Sequence, residues 1–325
     1  MGGYNHFDDS IAMICIAMVW FFGFVSNGLS LYITRTRSHF RNAFGILCSS
    51  FLICNLQSIS VLFTWCTIVL ALKSPILSSS ELFLARLVGV LVNGPYYGTL
   101  LMHFFVALNR LCAVLYPIKY KQLWSESRSL IVGIISWTTG TSLCMLHLYS
   151  NFVLILIQKL FTEDCSLLFN ENSSYRFFYG NSYYGKVCSN ADAALSVFIV
   201  MIMACLDSIT LIKLLAYRRA LRKNVTMSTG SAFNKKEVLF FKQSCLVSFI
   251  YTASVAVLIT HPFLFTNKWL LFLSSTIIWI LMQSTDGLVL LIFNFKMIWK
   301  TNSWIPTSTI APATTIHRLH TITRH

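Results

Sequence analysis

Hydrophobic residues occupy seven long stretches of the chain, and short polar segments separate them. Each stretch reaches the roughly 20 apolar residues that an α-helix needs to cross the hydrocarbon of a bilayer. The stretches are Ile11–Thr34, Ala43–Leu72, Leu82–Leu115, Ser129–Ile157, Ala191–Tyr217, Gln243–Phe265 and Leu270–Phe293. This pattern predicts an all-α membrane protein built as a bundle of seven transmembrane helices.

The composition favours a membrane protein over a soluble one. Of 325 residues, 56% are hydrophobic and only 11% are charged, and the mean hydropathy is +0.67. Soluble domains usually carry about 25% charged residues. The chain therefore has more apolar surface than one soluble core could bury, and a bilayer is the solvent that fits it.

The net charge of +14 matters chiefly through its distribution between the stretches. Most of the 25 Lys and Arg residues lie in segments that share a side with the C-terminus: 35–41, 110–128, 213–242 and 296–324. Under the positive-inside rule this side faces the cytoplasm, so we predict the N-terminus outside and the C-terminus inside. The basic segments also favour contact with anionic membrane lipids. A nucleic-acid partner is not predicted, because the charge is divided among four segments.

The stretches define one membrane domain and two flanking segments. Residues 1–10 are predicted to be a short extracellular N-terminus, and residues 11–300 hold the seven helices. Residues 301–325 are rich in Thr and Ser and contain Pro306 and Pro312. Such a composition cannot bury a core, so we predict a disordered cytoplasmic tail.

The cysteines divide into two groups. Eight of the ten lie within the apolar stretches or at their ends, where a thiol acts as a small apolar side chain. Cys165 and Cys188 instead lie in the second outer loop, Gln158–Asn190, and we predict that they form a disulfide that ties this loop to itself. The same loop carries Asn172 in an Asn-Ser-Ser sequence, a predicted glycosylation site.

Two carboxylates lie inside the predicted helices, Asp207 in the fifth and Asp286 in the seventh. A charged side chain there costs about 2.5–3.5 kcal/mol on insertion scales and faces the bundle interior. Together with the amides Asn27 and Asn55, they form a predicted intramembrane polar network. Two alternatives stay open: Asp207 could lie at a helix end and reach water, and the amides could be structural hydrogen bonds between helices.

The outer half of the third helix contains the sequence Asn-Gly-Pro-Tyr-Tyr-Gly at 93–98. Helical spacing places Asn93 and Tyr97 on one face. With His261 of the sixth helix, they are candidate ligand-binding residues in a pocket among the third, fifth, sixth and seventh helices. The alternative is a kinked packing face, since Gly and Pro let neighbouring helices approach closely.

Enzyme and metal chemistry are not predicted. No motif of catalytic spacing appears in the sequence. His103, His147 and His261 come from three different helices, so no local spacing supports a metal site. We predict no cofactor and no metal.

The segment LNRLCAVLYPIKY, residues 108–120, resembles the Asp-Arg-Tyr segment of rhodopsin-like receptors. There too an arginine ends the third helix, with alanine three residues later and proline seven later, as at Arg110, Ala113 and Pro117. In that family the arginine contacts the G protein, so the resemblance implies a coupling role for Asn109, Arg110 and Pro117. Asn109 cannot form an ion pair with Arg110. Another group must hold the resting state, and Asp207, Asp286 or backbone carbonyls are the candidates.

A closer resemblance is to the nematode serpentine chemoreceptors, particularly class X. The segments that carry it are 42–48, 108–120, the cysteine pair, 236–244 and 286–294. The resemblance implies a rhodopsin-like architecture and a chemosensory receptor in the plasma membrane of sensory neurons. It implies a small-molecule ligand from outside and a heterotrimeric G protein as partner. The alternatives are a seven-helix ligand-gated channel, of which the insect odorant receptors place the N-terminus inside, or a transporter.

Overall fold

The computed structural model of the chain describes residues 6–145, 148, 165–170, 174–180, 182–223 and 235–300. Contacts divide the chain into a bundle that runs to Phe293 and a second unit, Asn294–His325. The described part of the second unit, 294–300, is the end of the last helix. The predicted glycosylation site Asn172, the predicted tail 301–325 and most of 146–157 lie outside the described residues.

Nine α-helices make up most of the described chain. They are α1 His6–Thr36, α2 Ala43–Leu72, α3 Phe83–Leu115, α4 Tyr120–Leu123, α5 Glu126–Met145, α6 Tyr183–Lys223, α7 Lys235–Leu264, α8 Lys268–Phe272 and α9 Ile278–Lys300. One π-helical turn, Leu273–Ile277, joins α8 to α9. Short 3₁₀ turns, Ser38–Phe40 and Pro75–Ser78, precede α2 and α3.

The helices agree with the predicted membrane spans. Within the described ranges, six helical segments are long and apolar enough to cross a bilayer. They are Phe7–Thr36, Ala43–Leu72, Phe83–Leu115, Tyr183–Ala216, Phe241–Leu264 and Lys268–Asn294. The remaining predicted span corresponds to α5, which is described as far as Met145.

Helix α2 coincides with its predicted stretch because local signals mark both ends. The Asn42 side chain accepts a hydrogen bond from the Gly45 backbone N–H at 2.9 Å, which satisfies an otherwise unpaired donor of the first turn. Lys73 ends the helix in the left-handed region, with φ 50°.

Several helices begin earlier than predicted, α1 and α6 among them. Helix α1 starts at His6, so the predicted N-terminal segment 1–10 is partly helical. Asp8 and Asp9 lie in its first turn, where the helix dipole favours negative charge. Helix α6 starts at Tyr183 and not at the predicted Ala191, and Ser182 Oγ accepts from the Gly185 N–H at its beginning. Hydropathy misses both starts because the first turns are polar.

Close helix contacts depend on glycine at two places. A Cβ on Gly140 of α5 would lie 2.5 Å from the Gly94 carbonyl oxygen of α3. A Cβ on Gly287 of α9 would lie 2.6 Å from the Asn27 backbone nitrogen of α1. These small residues let the helix backbones pack together, as is common inside membranes.

The described part of the second outer loop is a two-stranded antiparallel hairpin, β1 Leu167–Asn170 and β2 Arg176–Tyr179. We call it the roof hairpin. The structure joins Cys165 to Cys188, the predicted pair. Both cysteines lie within the predicted segment Gln158–Asn190, and because Cys188 is in the first turns of α6, the disulfide ties the roof hairpin to this helix. Phe169 and Tyr175 are buried among residues of α1, α2 and α3.

Candidate functional site

The first polar group lies under the roof hairpin. Asn93 Nδ2 of α3 donates to Asp192 Oδ2 of α6 at 2.9 Å, and the Tyr179 hydroxyl of β2 donates to the same oxygen. The Tyr97 hydroxyl donates to the Asp192 backbone carbonyl at 3.0 Å. We call Asn93, Tyr97, Tyr179 and Asp192 the outer cluster. It contains both residues that helical spacing in α3 suggested.

Tyr179 stays protonated in this cluster. Burial raises the pKa of its hydroxyl well above the ordinary value, and the negative charge of Asp192 raises it further. The hydroxyl therefore acts as a donor that attaches the roof hairpin to α6.

His261, the third predicted ligand residue, does not join the outer cluster. Its Nδ1 lies 2.8 Å from the Leu258 carbonyl oxygen, and its Nε2 lies 3.5 Å from Arg176 Nη1. Arg176 and Tyr179 are both on β2. The roof hairpin therefore connects His261 to the outer cluster through the backbone of β2.

Aromatic rings lie between the roof hairpin and the bundle. The ring centroid of Trp279 on α9 is 5.9 Å from that of Phe177 on β2 and 5.9 Å from that of Tyr96 on α3. The Tyr96 hydroxyl donates to Ser196 Oγ at 3.2 Å. This arrangement offers apolar faces next to the polar groups, the composition typical of a small-molecule site.

The second polar group is centred on Asp286, which is 1% exposed. Its Oδ2 accepts from Asn55 Nδ2 at 2.7 Å and from the Tyr251 hydroxyl at 2.9 Å, and it lies 3.0 Å from His103 Nε2. Thr99 Oγ1 donates to Asn55 Oδ1 at 3.0 Å. We call these five residues the hub. It joins α2, α3, α7 and α9 through one carboxylate.

The predicted polar network is thus only partly one cluster. Asn55 and Asp286 bond to each other, whereas Asn27 and Asp207 lie in other contacts. Asn27 Nδ2 donates to the Gly23 carbonyl at 2.9 Å and to the Gln283 carbonyl at 3.2 Å, which makes it a structural hydrogen bond between α1 and α9.

Sequence reasoning did not place three hub residues in the polar network: Thr99, His103 and Tyr251. Thr99 and His103 are four residues apart on α3, so helical spacing signals a shared polar face. Tyr251 gave no such signal, because an isolated tyrosine in an apolar stretch is common.

The third polar group surrounds Arg110, which is 7% exposed at the end of α3. Arg110 Nη1 donates to the Phe241 backbone carbonyl of α7 at 3.2 Å, and the guanidinium lies 5.1 Å from the centroid of the Phe44 ring. Asp207 attracts Arg110 electrostatically and accepts from Ser248 Oγ at 2.5 Å. We call these five residues the inner lock.

The contacts within the inner lock show which groups interact with Arg110. Of the candidates that the sequence leaves open, a backbone carbonyl bonds to it directly and Asp207 acts through its charge. Among the described residues no ion pair joins Arg110 to Asp207 directly. Arg110 Nε is buried without a hydrogen-bond partner in this part of the chain.

The neighbours of Arg110 have separate contacts. Asn109 Oδ1 accepts from the Tyr120 hydroxyl of α4 at 3.2 Å. Pro117 lies in the turn between α3 and α4, just after the end of α3. Its missing N–H and fixed φ are compatible with this turn and not with continuation of the helix.

Metal ligands do not converge in the described ranges, where no three His, Cys, Asp or Glu side chains are arranged to hold a metal ion.

Comparisons with known proteins bear on this arrangement. Residues 17–294 match the family model of the serpentine type seven-transmembrane G-protein-coupled chemoreceptor Srx. The crystal structure of squid rhodopsin is similar in fold, with a TM-score of 0.70 over 94% of this chain and 89% of that chain. Its sequence is 12% identical, so the likeness shows the seven-helix fold alone. No protein with a curated description matches the sequence.

Proposed function

The chain belongs to the Srx family of serpentine seven-transmembrane chemoreceptors, and from this premise we propose that it binds a small molecule from outside the membrane and activates a heterotrimeric G protein. Its N-terminus lies outside and its C-terminus inside, as the distribution of Lys and Arg favours. Its site of action is the plasma membrane of sensory neurons, as expected for this family.

The observation that carries the proposal is the environment of Arg110. A permanent cation is buried between α3 and α7, where one hydrogen bond to the Phe241 carbonyl and the charge of Asp207 hold it. Burying a charge is costly unless other groups compensate for it. A contact that depends on α7 is lost when α7 moves, and Arg110 is then available to a G-protein α subunit. Asn109 and Pro117 shape the same surface.

Helix α7 connects the proposed ligand side to the proposed coupling side. It contributes His261 next to the roof hairpin, Tyr251 to the hub, and Ser248 and Phe241 to the inner lock. From Phe241 to His261 the helix rises about 30 Å, the thickness of the hydrocarbon. A shift of α7 at the roof therefore reaches Arg110 without an additional element.

The ligand site includes the outer cluster and the aromatic rings beside it. Asn93 and Tyr97 supply polar groups from α3, and His261 borders the site from α7. A ligand activates the receptor only to the extent that it binds the state with the displaced α7 more tightly than the resting state. A tenfold preference is worth about 1.4 kcal/mol.

The proposal is tested with the Arg110→Ala variant in cells that report calcium or cAMP, after an agonist has been found by screening. We expect the variant to reach the cell surface and to lose the agonist-evoked signal. Arg128→Ala, which removes an exposed arginine in the first turn of α5, is the control and keeps the signal. Normal signalling by Arg110→Ala would refute the coupling role.

The proposed topology distinguishes this receptor from the channel alternative. Epitope tags before residue 6 and after residue 300 are stained on intact and on permeabilised cells. We expect the N-terminal tag to stain on intact cells and the C-terminal tag only after permeabilisation. The reverse pattern would favour a channel of the insect odorant receptor type.

A further inference from the structure

We infer that the ligand is an organic anion, with a carboxylate or another oxyanion that binds Arg176 of the roof hairpin. The inference rests on the proposed ligand site and names the chemical class that this site accepts.

Arg176 is held in place by a neutral group. A carbonyl oxygen only accepts hydrogen bonds, so His261 Nδ1, at 2.8 Å from the Leu258 carbonyl, carries the ring hydrogen. In this tautomer Nε2 is an acceptor, and Arg176 Nη1 lies 3.5 Å from it. The imidazole therefore orients the guanidinium without neutralising its charge.

The charge of Arg176 is not balanced within the described part of the chain. No carboxylate there forms an ion pair with it, and its Nε is buried without a hydrogen-bond partner. Burial also lowers the pKa of the guanidinium, because desolvation disfavours its charged form. A guanidinium has donors only and stays charged in proteins, so a group that pairs with it supplies acceptors and negative charge.

The other cations under the roof hairpin have acidic partners. Lys73 Nζ lies 2.6 Å from Asp9 Oδ2, and Lys268 Nζ lies 3.7 Å from Asp8 Oδ2. Lys268 also donates to the Tyr175 hydroxyl at 3.0 Å. These pairs hold the ends of α1, α2 and α8 together, so both lysines already have an acidic partner, which Arg176 lacks among the described residues.

A cationic ligand is the less favoured class. The acid that could receive it is Asp192, but Asn93 and Tyr179 both donate to Asp192 Oδ2. These bonds attach the roof hairpin and α6 to α3, so Asp192 already has a structural role. Arg176 has no comparable set of bonds, and its planar fork matches the two oxygens of a carboxylate.

The test measures thermal unfolding of the purified full-length receptor with matched probes. Hexanoate, phenylacetate and indole-3-acetate are each compared with the primary amide and the amine of the same carbon skeleton. We expect at least one carboxylate to raise Tm where its amide and amine do not. Stabilisation by the amide or amine to the same degree, or by none of the carboxylates, overturns the inference.

Substitutions of Arg176 test whether the stabilising carboxylate binds to this residue. Arg176→Gln should bind the stabilising carboxylate about 30-fold or more weakly, because the half-buried positive charge that pairs with the carboxylate is removed. Arg176→Lys keeps the charge, so it should retain part of the stabilisation and shows that the hairpin still folds. Arg86→Gln is the matched control, since Arg86 also has a buried, unpartnered Nε but donates to the Leu148 carbonyl. Unchanged binding by Arg176→Gln, or equal loss in Arg86→Gln, overturns the assignment.

The readout separates this inference from the proposed function. Thermal stabilisation requires no G protein, so Arg110→Ala should bind the carboxylate like the wild type. A carboxylate that binds through Arg176 and evokes no signal would leave the ligand class intact and refute the coupling. An amine agonist that signals through Arg110 would refute the proposed ligand class and leave the coupling role intact.

Discussion

The hub and the inner lock are both buried polar groups between α3 and α7, but their central charged side chains differ in how they are hydrogen-bonded. In the hub, one oxygen of Asp286 contacts Asn55, His103 and Tyr251 from three other helices. In the inner lock, the Arg110 guanidinium donates to the Phe241 backbone carbonyl of α7, and within the described part of the chain no ion pair joins it to Asp207.

This difference separates a structural junction from a contact that can open. Hydrogen bonds to charged groups contribute about 1.5–3 kcal/mol each, so several bonds on one carboxylate hold four helices together. A single bond to a backbone carbonyl is lost with a small displacement. Loss of the hydrogen bonds to Asp286 in the hub would unfold the bundle. Loss of the hydrogen bond from Arg110 to α7 in the inner lock would only expose Arg110.

The largest expected effect is that of Asp286→Ala. The change leaves three donors without their acceptor inside the bundle, and breaking a buried charged group in this way costs about 3–5 kcal/mol. We expect a marked fall in Tm of the purified receptor and in surface expression. Asp286→Asn, which keeps one acceptor oxygen, should lose less. A Tm equal to that of the wild type in Asp286→Ala would mean that the hub is not a junction.

A smaller and different effect is expected for Ser248→Ala. It removes a hydrogen bond to the Asp207 carboxylate, worth about 1.5–3 kcal/mol, from the inner lock. If that bond exists only in the resting state, its loss should raise ligand-free G-protein activation by at least about tenfold. Surface expression measured in parallel should stay near the wild-type level. Unchanged basal activity would show that the Ser248 bond persists when the receptor opens.

The smallest effect is expected outside both groups. Gln57 Oε1 accepts from Trp137 Nε1 at 3.0 Å on an exposed part of the bundle. Such bonds between membrane helices average about 0.6 kcal/mol. Gln57→Ala should therefore change neither Tm nor basal signalling appreciably. An effect as large as that of Asp286→Ala would remove the distinction between structural and incidental polar contacts.

The sequence predicted the helices better than their contacts. The predicted stretch and α2 have the same ends, Ala43 and Leu72, because Asn42 and Lys73 flank them with local end signals. The apolar stretches miss the start of α6, since Tyr183–Asn190 is polar and lies outside any hydrophobic run. Hydropathy measures where a helix is buried in lipid, and a helix that projects beyond the lipid gives no such signal.

In the candidate site, too, single residues could be predicted from the sequence but their contacts could not. Asp286 and Asn55 were identifiable because polar groups in apolar stretches are costly and face inward. Their partners were not, because the rotation of α3 and α7 decides which side chains meet them, and that rotation depends on packing along whole helices. The outer cluster needed Asp192 and Tyr179, which are far from α3 in sequence; α6 brings Asp192 to it and the roof hairpin brings Tyr179.

The central claim is that Arg110 is the group that the inner lock withholds from the G protein. It is tested most directly by ligand-free G-protein activation in Asp207→Asn and in the double variant Asp207→Asn/Arg110→Ala, each measured with a panel of G-protein α subunits. Removing the charge of Asp207 should raise basal activation above wild type, and removing Arg110 as well should abolish the increase. Equal activation by the single and double variants would contradict the claim.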